Sequence, residues 1–174
     1  MQFKLDEAIE ILSRTPFTLN SMVGGLSEQW ISSNEAEGTW SAFDVVGHLI
    51  DGEINNWIVR IEIILKEGTE KDFPPFDRFE HVERNKKKSL DQLLEEFNSL
   101  REENLKRLRT LIVNESDYTL KGIHPEFGEV TLHQLLSTWV VHDLTHIAQI
   151  SRVMAHRYKE DVGPWKAYLR ILSI

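Results

Sequence analysis

Residues 131–156 read TLHQLLSTWVVHDLTHIAQISRVMAH. Leu132, Leu135, Trp139, His142, His146, Ile150 and Val153 recur at steps of three and four, which is one stripe of an α-helix. Thr131 and Gln134 stand at capping-box spacing, so each side chain satisfies a backbone donor at the helix start. Two histidines occupy stripe positions where leucines are expected. Four apart, they leave the same face with Cβ atoms about 5–6 Å apart, close enough to share one metal ion at roughly 2.0–2.1 Å per nitrogen. The same pair could instead be core histidines hydrogen-bonded to neighbours. A third ligand on another element would favour the metal.

Working outward, residues 89–113 form a helix capped by Ser89 and Gln92, with Leu90, Leu93, Leu94, Phe97, Leu100, Leu108, Leu111 and Ile112 as its apolar face. It carries no histidine and reads as wall. Residues 41–67 read as one helix, started by Ser41 and Asp44 and stopped by Gly68, with apolar Val45, Leu49, Trp57, Ile58, Ile61, Ile64 and Leu65. Residues 4–23 form a first helix on Leu5, Ala8, Ile9 and Leu12. Pro16 is expected to break or kink it, or to open a fresh helix after Thr15. Residues 26–40, 69–88 and 114–130 read as connections. Phe73-Pro74-Pro75-Phe76 excludes helix locally, and its aromatics must pack somewhere, with one end of the bundle the expected place, either roofing a pocket or closing the core. After Asp161-Val162-Gly163-Pro164, residues 165–171 suggest one or two turns packing back. Four long amphipathic segments with almost no strand signal predict an all-α four-helix bundle with a short C-terminal helix, a single domain over residues 1–174.

Composition narrows the function. The chain has no cysteine, which excludes disulfides, thiolate ligation and a cysteine nucleophile, so any metal is held by nitrogen and oxygen. A net charge of −8 over 174 residues opposes binding to phosphate backbones, and the one basic run, residues 84–88, reads as a solvated loop. No nucleic-acid partner is expected. No apolar run reaches the ~18–20 residues that span a membrane, and MQFKLDEAIEIL lacks a secretory pattern, so the expected location is cytoplasmic.

A third interior histidine exists. His48 lies on the apolar face of the second long helix, whereas His81, His124 and His133 lie off such faces and His156 sits near a helix end. In a bundle the faces bearing His48 and His142/His146 point at one core, so three imidazoles could converge. Burying an unpartnered polar group costs roughly 1–3 kcal/mol against a total stability of about 5–15 kcal/mol, so the rings need partners. One divalent cation satisfies all three; separate hydrogen bonds would also suffice. Three nitrogens leave a tetrahedral ion one open position, the pattern of catalytic zinc sites. Zinc is the default ion and nickel the alternative. Asp51, Asn55 and Gln149 lie within helical reach as supporting or substrate-facing groups, although for each a surface or interhelix hydrogen bond is the favoured single reading. Gly52, one turn from His48, leaves room for another group to approach, or equally for close helix packing. Protons compete for imidazole, so metal binding is expected to weaken below about pH 6.5. No Glu-x-x-His pair, H-E-x-x-H, P-loop or G-x-S-x-G pattern is present.

TWSAFDVVGHLIDGE at residues 39–53, followed by GEVTLHQLLSTWVVHDLTHIAQI at 128–150, resembles the DinB-like, or YfiT-like, metalloproteins. The resemblance covers nearly the whole chain, including the proline in the first helix and the His124-Pro125 loop. It implies an up-down-down-up bundle and a metal triad at His48, His142 and His146. It also implies enzymes of small molecules: bacillithiol- or mycothiol-dependent S-transferases, or metal-dependent hydrolases. Some transferase members carry a further histidine where this chain has Glu53. The expectation is therefore a metal-dependent enzyme in which a thiol co-substrate or water attacks a small electrophile. The alternatives are a non-catalytic, stress-related metal- or ligand-binding bundle and an inert dimerisation module. By analogy with the family, a homodimer is possible.

Overall fold

The computed structural model describes residues 3–173; Met1, Gln2 and Ile174, at the ends of the expected domain, lie outside them. Its framework is α1 (Leu5–Val23), α3 (Ala42–Asn55) running into α4 (Trp57–Lys66), α6 (Leu90–Leu111) and α7 (Leu132–His156). Short helices α2 (Glu28–Ile31) and α5 (Glu80–Asn85) sit in the connections. The capping boxes at Ser41/Asp44, Ser89/Gln92 and Thr131/Gln134 all form, each satisfying backbone donors that a helix start leaves free.

Side-chain contacts fix the direction of each helix. Arg101 on α6 meets the Leu12 carbonyl and Arg109 meets Asp6, so α6 is antiparallel to α1. Asn104 meets Glu53 and Arg107 meets Glu62, so α6 is parallel to α3–α4. His142 meets His48 while Trp139 stacks on Trp57, so α7 is antiparallel to α3–α4. The order is up-down-down-up. Two parallel neighbours cannot be joined by a tight turn, so the chain between α4 and α6 must return along the bundle, and α5 lies on that crossover.

Several local expectations change. α1 does not break at Pro16, which is buried inside a continuous helix. Proline cannot donate to the carbonyl four residues back. That carbonyl, Leu12, instead accepts from Arg101 Nη1 at 2.8 Å. The expected helix 41–67 is interrupted at Asn56 (φ −117°, ψ −73°), and in that turn Asn104 Nδ2 donates to the Glu53 carbonyl at 2.9 Å. Residues 114–130 are not wholly irregular. A 3-10 turn (Glu115–Thr119) precedes the hairpin β1 (Lys121–His124) and β2 (Gly128–Thr131), antiparallel with Lys121 opposite Thr131 and His124 opposite Gly128. The C-terminal helix is two 3-10 segments, Gly163–Tyr168 and Arg170–Leu172, which leave Trp165 and Tyr168 exposed. Among the described residues, no helix is long and apolar enough to cross a membrane.

The apolar interior has two halves. One gathers Leu12, Trp57, Ile61, Leu108 and Trp139; the other gathers Leu19, Leu49, Phe97 and Ile150. On every long helix the residues between the halves are polar: Thr15, Glu53, Arg101 and Asp143 are all buried. Arg101 bonds Asp143 through both terminal nitrogens (2.5 and 3.1 Å) and Glu53 Oε1 at 2.8 Å. Thr15 Oγ1 donates to Asp143 Oδ2 at 2.7 Å, and Asn104 Nδ2 donates to Glu53 Oε2 at 3.0 Å. Charges taken out of water need this degree of saturation, because an unpaired buried charge costs several kcal/mol. The histidines project from this layer.

Candidate metal centre

His48 comes from the middle of α3; His142 and His146 come from consecutive turns of α7. Their Nε2 atoms converge. His142 Nε2 lies 3.2 Å from Nε2 of His48 and 3.2 Å from Nε2 of His146. Ligand atoms of all three rings lie within 4.8 Å of one another. A tetrahedral ion with bonds of about 2.0–2.1 Å has ligand–ligand edges of about 3.3–3.4 Å, so the spacing suits one small divalent cation. His146 Nδ1 is hydrogen-bonded to Gln149 Oε1 at 2.8 Å, which fixes the proton on Nδ1 and leaves the Nε2 lone pair facing the cluster. His142 Nδ1 is buried without a partner. Three lone-pair nitrogens gathered with so few partners of their own are what a cation would satisfy.

The electrostatics agree. Burial, reinforced by His146, His81 and Arg78, pushes His48 down to about 3, although the Arg78 backbone pulls the other way. Burial, reinforced by His146, His48 and Arg101, pushes His142 down to about 2. Burial also lowers His146, opposed by Gln149 and Asp143. All three rings are therefore neutral at physiological pH, the form that ligates metal. Proton competition moves below the pH 6.5 expected for ordinary imidazoles.

The rings open into a cavity of about 610 Å3, within the range of small-molecule sites. Trp40 packs on His48 with centroids 4.7 Å apart, and Trp57 meets His142 edge-on at 5.1 Å. Gly52 makes the Trp57 position possible, because a Cβ there would stand 3.0 Å from the indole nitrogen. The crossover supplies Phe73, Pro75, Phe76 and Arg78, and the hairpin supplies His124 to Phe127. The aromatic Pro-Pro stretch thus roofs the cavity, as its need for burial allowed but did not require.

The crossover is held by α5. Gly47 is the contact point: a Cβ there would come within 2.6 Å of Asn85 Nδ2 and 3.2 Å of His81 Cδ2. Arg84 pairs with buried Asp51 at 2.6 Å. Burial pushes the Asp51 carboxyl up to about 6 despite Arg84. Asp51 therefore braces the roof and pairs away from the histidine cluster. Asn55 likewise serves the roof, donating to Glu80 at 3.2 Å. Of the three supporting candidates, Gln149 alone touches a triad ring.

Two sequence readings are corrected. His81, read as lying off the apolar faces, is 1% exposed beneath Trp40, with centroids 5.1 Å apart. It belongs to a helix that the expected loop 69–88 concealed. His124, likewise read as lying off the apolar faces, lines the cavity half-buried. The network of Arg101, Glu53 and Asp143 was missed, although a signal existed. Arg101 interrupts an apolar stripe between Phe97 and Leu105 as His142 does on α7.

Residues 11–150 match the model of the DinB superfamily. Over 156 residues the chain is 29% identical to "Putative metal-dependent hydrolase YfiT" of Bacillus subtilis, covering 85% of this chain and 83% of that protein. A Bacillus licheniformis protein also named as a putative metal-dependent hydrolase is 31% identical over 159 residues, covering 88% and 85%. The solved structure of Bacillus subtilis YfiT, described as "a probable metal-dependent hydrolase with an unusual four-helix bundle topology", superposes with a TM-score of 0.74 over 90% of each chain at 23% identity, a likeness of fold. The family match, the relatives and the shared bundle agree, and the chain belongs to the DinB superfamily.

Proposed function

We propose that this protein is a metal-dependent enzyme of small molecules, with His48, His142 and His146 as the ligands of one divalent ion, zinc or nickel. The convergence of three Nε2 atoms at the floor of a cavity carries this reading. Bound there, the ion supplies Lewis acidity, which makes a thiol or water nucleophilic near neutral pH. The remaining work falls to the chain. Gln149 holds the tautomer of His146. Trp40 and Trp57 fix the planes of His48 and His142, and the crossover and hairpin limit the water that reaches the site.

The nucleophile of the proposed reaction is a low-molecular-weight thiol. Its sulfur forms a bond to an electrophilic carbon, the leaving group departs with its electron pair, and the thiol proton passes to solvent. One observation supports thiol over water. Among the described residues, Glu126 is the only carboxylate on the cavity wall and is exposed, so no buried carboxylate there stands ready to activate water. A thiol, with its lower pKa, needs less help. Hydrolysis is the second reading, favoured by the names of the two relatives.

The test uses tag-free protein. Elemental analysis should give about one zinc or nickel per chain, and His142→Ala should lose it. The loaded protein is then assayed with thiols plus an activated aryl halide, and with activated esters alone. Thiol-dependent turnover abolished by His142→Ala supports transfer; thiol-independent ester cleavage supports hydrolysis. Metal retained at full stoichiometry by His142→Ala would overturn both.

A further inference from the structure

The cavity wall also holds a cation that forms no ion pair among the described residues. Arg60, on α4, is 7% exposed. Its Nη2 makes one long contact to the Pro74 carbonyl, 3.4 Å, and its guanidinium lies 5.3 Å from the centroid of Phe73. Its Nε is buried with no partner, as is Oδ1 of neighbouring Asn56. Among the described residues, no carboxylate lies within ion-pairing distance of Arg60. Burial lowers its pKa with nothing to offset the cost. Arg101 shows the contrast: buried still more deeply, it is bonded to two carboxylates.

A guanidinium has five donors in a rigid fork, and leaving a buried one without a partner is costly. Here the fork borders a cavity. His124 lies on the same wall, where its Nδ1 accepts the backbone N–H of Glu126 at 3.1 Å and of Phe127 at 3.3 Å. With Nδ1 so engaged, the proton of the neutral ring sits on Nε2, which is a donor. Arg78, exposed on the crossover, adds a second positive charge at the cavity wall. Among its described residues, a chain of net charge −8 thus places two guanidinium groups and one carboxylate around this space.

We propose that Arg60, assisted by His124 and Arg78, is an anion subsite that binds an acidic group, carboxylate or phosphate, of the small molecule entering the metal cavity. This deepens the enzyme reading above and rests on it for calling the ligand a substrate. The binding itself requires no metal. An arginine fork suits a planar or tetrahedral oxyanion through paired hydrogen bonds.

The probes are succinate and inorganic phosphate, with succinamide as the uncharged control, titrated calorimetrically into metal-free and zinc-loaded full-length protein. Metal-free wild type should bind succinate or phosphate, bind no succinamide, and weaken as ionic strength rises. Arg60→Gln should lose about tenfold or more in affinity, the weight of one or more charge-assisted hydrogen bonds. Its zinc content should stay unchanged. If Arg60→Gln does not fold, the Nε–H NMR signal of Arg60 in wild type gives the answer: it should shift saturably with at least one anion and not with succinamide. A static signal, equal anion affinity in a folded Arg60→Gln, or equal binding of succinamide overturns the subsite. Zinc binding with no Arg60 response leaves the metal reading standing and this one fallen. Anion binding in a protein that takes up no zinc does the reverse.

Discussion

Arg101 and Pro16 should be energetically coupled although they lie on different helices. Pro16 leaves the Leu12 carbonyl without its helical donor, and Arg101 Nη1 fills that place at 2.8 Å. Pro16→Ala restores the helical N–H. In wild type the carbonyl is already satisfied, so the new donor adds little beyond relief of the proline itself. In Arg101→Lys a positive charge still faces Glu53 and Asp143, but one ammonium cannot reproduce bonds to Leu12, Asp143 and Glu53 together. Losing one or two charge-assisted bonds should cost about 2–4 kcal/mol, and the carbonyl's share is about 1 kcal/mol. Pro16→Ala should therefore stabilise Arg101→Lys by about 1 kcal/mol more than it stabilises wild type. Urea unfolding of the metal-free proteins, followed by tryptophan fluorescence, measures the four corners of the cycle. Effects that add within about 0.3–0.5 kcal/mol would show that Arg101 does not stand in for the missing donor.

Acid should destabilise the metal-free protein through its buried imidazoles. His48 and His142 are held at about 3 and 2, whereas the unfolded chain protonates them near 6.5, so stability is lost as pH falls below about 6.5. At pH 5 the loss is about 2 kcal/mol per ring; Asp51, pushed up to about 6, returns about 1 kcal/mol because the folded state binds its proton more readily. Denaturant melts at pH 7 and pH 5 should differ by about 3 kcal/mol, and the His48→Gln/His142→Gln double variant should flatten the difference; an unchanged slope refutes the assignment. Gln149→Leu removes the partner of His146 Nδ1 and should weaken zinc binding by about 10–100-fold in chelator competition, with little change in fold. Wild-type zinc affinity in that variant would mean that Gln149 does not orient the ring.

The long helices, their starts and the interior position of the three histidines are legible in the residue pattern alone. Apolar spacing and capping boxes are local signals, set within one or two turns, and a polar residue inside an apolar stripe marks itself as interior. Those rules located His48, His142 and His146, and applied to Arg101 they would have located the buried ion network. What the tertiary structure alone decided is what each interior polar group meets. Continuity of α1 through Pro16 depends on an arginine 85 positions downstream (101 − 16). The break at Asn56, the docking of α5 on Gly47 and the burial of His81 depend on contacts between segments far apart in the chain. Arg60 looks like an ordinary surface residue of an amphipathic helix until the crossover and hairpin close around it. Periodicity reports which face of a helix is buried; only packing reports which other face covers it.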